Sequence, residues 1–83
     1  MYDVVMHNDD ITTMEFVVDV LCRVFYKSAE NATQLMLDVH TKGAAIVGTY
    51  TYDIALSKTY RATEMARAEG FPFRMTIEPS MPF

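Results

Sequence analysis

Cysteine occurs once in the 83 residues, as Cys22, which excludes an internal disulfide framework and a cysteine-rich zinc module. A reducing compartment is the simpler setting for such a chain. The three glycines are scattered, so no glycine-rich loop is available to cradle a phosphate. No apolar run approaches the roughly 20 residues that a membrane span needs. No secretory signal pattern is visible, because Met1 leads directly into YDVVMH. Positive charge is scarce: the formal net charge is -4 and no basic stripe exists. Nucleic-acid backbones and anionic membrane surfaces are therefore poor partners. Ser28, Ser57, Ser80 and Cys22 lie in no nucleophile-elbow motif, and no H-x-x-x-H spacing suggests a metal.

What remains is a chain of 51% apolar residues, enough to fold as one small domain over residues 1–83. Valine-rich Tyr2 to His7 reads as a strand. Thr12 with Glu15 forms a T-x-x-E capping box, so a helix is expected to start at Thr12. Val17, Val20, Leu21 and Val24 then recur at helical spacing, with Asp19 and Arg23 as an exposed pair. Ser28 should cap a second helix whose apolar stripe is Ala32, Leu35, Met36 and Val39, with Gly43 as a left-handed stop. AAIVGTY reads as a second strand, and Thr51 as the cap of a third helix that carries Ile54, Ala55, Ala62, Met65 and Ala66 and stops at Gly70. In FPFRMTIE, Phe73, Met75 and Ile77 alternate with polar residues, as a half-buried strand does. Residues 79–83 are expected to form a loose tail. The order β-α-α-β-α-β predicts an α+β domain, a three-stranded antiparallel sheet with three helices packed on it.

The stretch HNDDITTMEFV holds the chemistry. Asn8, Asp9 and Asp10 suit an ordinary Asx turn before a helix, where carboxylates complement the helix dipole. They also suit a set of acceptors for an ammonium group, which has three N–H donors and no acceptor. His40, near the end of the second helix, reads as a half-buried histidine at a helix C-terminus. It also reads as a neutral imidazole accepting a hydrogen bond beside Asn8 and Asp9. Met14 and Met36 are either core filler or an adaptable apolar wall. A metal-dependent hydrolase built on Asp9, Asp10 and His40 stays open at this point, as does a purely structural interaction domain.

NDDITTMEFVVDVL followed by ATQLMLDVHTKGAAIVGTY resembles the Clp protease adaptor family, ClpS, over Tyr2 to about Ile77. The resemblance implies a binding module and not an enzyme, with no cofactor. Its expected targets are N-degron substrates, proteins with a free first residue that is Leu, Phe, Tyr or Trp. Their N-terminal segments would be handed to the N-terminal domain of a hexameric Clp unfoldase of the ClpA or ClpC type. By position, Asn8, Asp9 and His40 would hold the α-amino group. Ile11, Thr12, Met14, Val17, Leu21, Met36 and Val39 would line or rim the side-chain pocket, joined by Phe73 after Pro72. Asp53 and Lys58 would meet the unfoldase. Ile11 and Thr13 stand where members often carry an aromatic and a proline. A monomer in the bacterial cytoplasm is the expectation, with the plastid stroma as the other compartment.

Overall fold

The computed structural model describes residues 1–81. Its elements are β1 (Tyr2–His7), α1 (Met14–Arg23), α2 (Ala29–Lys42), β2 (Ala44–Tyr50), α3 (Tyr52–Ala68) and β3 (Arg74–Pro79). The sheet is antiparallel with strand order β2-β1-β3, so β1 is the central strand. This is the expected α+β domain. Alternation along β1 sends Val4 and Met6 to one face, where Met75 and Ile77 of β3 lie opposite them. The pairing of β1 with β2 slips between Val4 and Val5, which leaves Val47 as an extra residue buried in the core. Next to it, a Cβ at Gly48 would meet the Tyr50 ring at 2.5–2.9 Å, so only glycine lets that tyrosine lie flat against the strand.

Helix packing follows the apolar stripes. Phe16, Val17, Val20 and Leu21 are the buried side of α1. Ala55, Ala62 and Ala66 are the buried side of α3, small enough to bring that helix close to the sheet. Phe16 meets Phe71 and Phe73 edge-on, with ring centroids 5.2 and 5.7 Å apart. Asp19 and Arg23 do pair on the surface at 3.2 Å, an interaction worth only about 0.3–0.5 kcal/mol.

Several local expectations shift. The N-cap of α1 is Thr13, whose hydroxyl accepts from the Phe16 N–H at 3.2 Å. Thr12 is drawn away because Asp9 claims its hydroxyl and its N–H. Thr51 occupies the cap position of α3 without a side-chain hydrogen bond. Ile54, expected on the inner stripe of α3, is 48% exposed. β3 starts at Arg74 and not at Phe71. Of the expected tail, Pro79 closes β3 and the Ser80 N–H donates to the Met1 carbonyl at 3.0 Å. Pro82 and Phe83 lie outside the described residues.

One junction positions everything that follows. Ser28 caps α2 through the Asn31 N–H, and α2 ends at Gly43, which takes the left-handed φ of 88°. The reversal sends the chain straight into β2, and the Gly43 carbonyl then accepts the Asn8 N–H at 2.9 Å. The end of β1 is thereby tied to the end of α2. A Cβ at Gly43 would touch nothing within 4 Å, so the cost of replacing it is purely conformational. Gly43→Ala is expected to lower stability by about 1–2 kcal/mol, read as a drop in melting temperature with the fold retained.

Candidate functional site

The loop after β1 folds around one carboxylate. Asp9 Oδ1 accepts the N–H groups of Ile11 and Thr12 at 2.9 and 2.7 Å, and Oδ2 accepts the Thr12 hydroxyl at 2.7 Å. This is an Asx turn, the ordinary structural role of such a residue. Burial pushes the Asp9 carboxyl up, but the Thr12 N–H, the Thr12 hydroxyl and the Ile11 N–H outweigh it and hold the group below its ordinary value.

Around that loop lies a cleft of about 330 Å³. One side is the loop itself, Asn8 through Thr13; the others are Met14 and Val17 of α1 and Met36, Val39 and His40 of α2. Sequence-distant residues are thus brought together as the Asn8–Gly43 hydrogen bond requires. Asn8 and His40 are both exposed at the cleft, so His40 is more open than the half-buried histidine expected. Among the described residues neither side chain has an intramolecular hydrogen-bond partner, and both are free to bond something in the cleft. Met14, Met36, Val17 and Val39 form its apolar part. The arrangement offers an amide, an imidazole and a carboxylate at one end and thioether and branched aliphatic surface at the other. Such a cleft can hold a group that is cationic at one end and apolar at the other.

Two expected pocket residues are elsewhere. Leu21 is fully buried in the core, one turn beyond Val17. Phe73 is buried against Phe16. Neither lines the cleft, whereas Thr13 and Asp10 do. Thr13 lies where the resemblance puts a residue flanking the pocket mouth. Among the described residues no three His, Cys, Asp or Glu side chains gather closely enough to hold a metal ion. Asp9, Asp10 and His40 are not such a group, and most of the hydrogen-bonding capacity of the Asp9 carboxylate goes to its own turn. No helix among those residues is long and apolar enough to cross a membrane.

Asp53 and Lys58 share a separate surface with Tyr26, Ile54 and Arg61. Asp53 is exposed in the first turn of α3. Lys58 is not a free surface charge. Its ammonium donates to the Val24 carbonyl at 2.8 Å and sits 4.5, 5.5 and 5.8 Å from the ring centroids of Tyr26, Tyr50 and Phe25. It fastens α3 to the end of α1, where Tyr26 takes a positive φ of 55°. Burial in this cluster pushes the Tyr50 phenol up.

With the geometry in place, the chain can be set beside known proteins. Residues 1–76 match the family model described as ATP-dependent Clp protease adaptor protein ClpS. The ATP-dependent Clp protease adapter protein ClpS of Acetivibrio thermocellus is 53% identical over 79 residues, 95% of this chain and 80% of that protein. Its counterpart in Desulfatibacillum aliphaticivorans is 51% identical over 79 residues, 95% of this chain and 76% of that protein. Among solved structures, Agrobacterium tumefaciens ClpS2 bound to L-phenylalaninamide superposes with a TM-score of 0.92 at 39% identity, covering 95% of each chain.

Two outcomes follow from the geometry. A carboxyl held below its ordinary value in the fold stabilises the fold above the unfolded value of 3.8 and loses that contribution as pH falls through the folded value. The melting-temperature difference between the native chain and Asp9→Ala is therefore expected to be constant at pH values well above 3.8 and to shrink as pH falls below it. Lys58→Met keeps the aliphatic stem and removes the ammonium, and should cost about 1–2 kcal/mol in urea unfolding.

Proposed function

The chain belongs to the ClpS family of non-catalytic adaptors of the ATP-dependent Clp protease, and from that premise we propose that its cleft reads N-degrons. A substrate's free α-amino group binds at the Asn8 and His40 end. Its first side chain enters between Met14, Val17, Met36 and Val39. The observation that carries this reading is the cleft itself, in which acceptors that have no partner among the described residues and apolar walls face the same space. The ligand of the Agrobacterium relative supports it, because phenylalaninamide has the two chemical ends that such a cleft can satisfy.

Energetics favour a requirement for both ends. A hydrogen bond to a charged group contributes about 1.5–3 kcal/mol, and burial of a Phe or Leu side chain about 1.5–3 kcal/mol. Neither alone overcomes the entropy of association. Together they are compatible with micromolar binding, about -8 kcal/mol. Asp9 contributes by shaping the loop and by placing negative charge near the amine. Its carboxylate retains a spare lone pair for the ligand or a bridging water. Stiff β-branched first residues would meet the Met14 thioether near the backbone, which favours Leu, Phe, Tyr and Trp over Ile and Val. Delivery to a Clp unfoldase of the ClpA or ClpC type is assigned to the exposed start of α3. There Asp53 is the available charge, and Lys58 acts by holding the surface in shape.

Anisotropy of a labelled peptide beginning with Phe, against its N-acetylated twin, tests the reading. The free peptide should bind and the acetylated one should not; equal binding would sink the amine site. Asn8→Ala and His40→Ala should each weaken the free peptide by about 10- to 100-fold, the equivalent of one charge-assisted bond. Because both side chains are exposed, their melting temperatures should stay close to that of the native chain.

A further inference from the structure

Beside the apolar end of the cleft lies a second, open surface groove. Met14 and Met36 line the cleft, and the same two residues line a groove of about 450 Å³ between α1 and α2. The rest of that groove is Val18 and Cys22, with Glu15 and Asp19 at its rim. The two spaces thus share two thioether side chains in their walls. Neither methionine is locked into the core: Met14 is 48% exposed and Met36 is only partly buried. Methionine is unbranched, with three rotatable bonds, and changes shape at little cost. A methionine that swung away from the cleft would find Val18 and Cys22 in the same groove. It exchanges one apolar contact for another, and no side-chain hydrogen bond is broken.

We propose that this wall is movable and that the groove is its relief volume. Val18 and Cys22, which lie beyond the wall, would then set the largest first residue that the cleft accepts. Leu is held with the wall at rest. The fused ring of Trp requires Met14 and Met36 to retreat into the groove. This inference rests on the N-degron reading and adds a size limit set from outside the cleft.

Cys22 permits a reversible test, being the one cysteine in the chain and half-buried. Benzyl methanethiosulfonate transfers its benzylthio group to the Cys22 sulfur with loss of methanesulfinate, and dithiothreitol restores the thiol. With the groove filled, a Trp-initiated peptide should weaken by about ten-fold or more, while a Leu-initiated peptide stays within about two-fold. Both should recover on reduction. Val18→Phe fills the same groove without chemistry and should shift the Trp-to-Leu affinity ratio in the same direction. An unchanged ratio, or equal loss for both peptides, overturns the movable wall. N-acetylated twins run alongside separate the two claims. A protein that binds them as well as the free peptides overturns the N-degron reading too, whereas one that rejects them but keeps its ratio overturns the wall alone.

Discussion

The hydrogen bond from the Asn8 N–H to the Gly43 carbonyl is the constraint on which the cleft depends. It extends the pairing of β1 with β2 by one step beyond His7 and Ala44. It forms because Gly43 reverses the chain at the end of α2 in a left-handed conformation that costs most residues energy. Without it, residues 8–13 would be an ordinary loop, and His40 would have nothing opposite it. The Asp9 turn then sets the shape of that loop from within, using three hydrogen bonds to one carboxylate. Backbone geometry thus brings together groups about thirty residues apart, and the side chains exposed there are left free for a ligand.

Labour is divided among polar residues that look alike in sequence. Asp9 spends most of its side chain's hydrogen-bonding capacity on the fold, while the side chains of Asn8 and His40 spend none among the described residues. Lys58 is also spent inside, on the Val24 carbonyl and three aromatic rings, whereas Asp53 five residues earlier is exposed. His7 follows the same logic on the sheet. Its Nε2 lies 2.8 Å from the Thr76 hydroxyl, and that hydroxyl donates to Glu78 at 3.1 Å. With its one proton given to Glu78, Thr76 must accept from His7, which orients the ring. Charge and residue type alone do not separate such internal clasps from groups available to a partner; their neighbours in space do.

That distinction marks how much was legible beforehand. Strand and helix order followed from alternation and helical spacing, and Ser28 and Gly43 were readable because each has one strong local preference. The cleft's Asn8, Met14, Met36 and His40 were nameable from the resemblance of two motifs. What was not legible depended on competition or depth. Thr12 has the capping-box spacing to Glu15, and only the claim of Asp9 on Thr12 passes the cap to Thr13. Leu21 and Phe73 share the apolar character of true cleft residues, and only the packing of Phe16 and the turn of α1 decide that they face the core. The extra residue at Val47 and the cage around Lys58 join elements distant in sequence, and no periodicity reports them.

The most direct test of the central claim is a titration of backbone amide chemical shifts with L-phenylalaninamide. Saturable shifts concentrated in residues 8–14 and 36–40 are the predicted result, since these line the cleft on both sides. Shifts centred instead on the start of α3, around Asp53 and Arg61, or no saturable shift at all, would contradict the assignment of the cleft as the site that reads a free amine and an apolar first side chain.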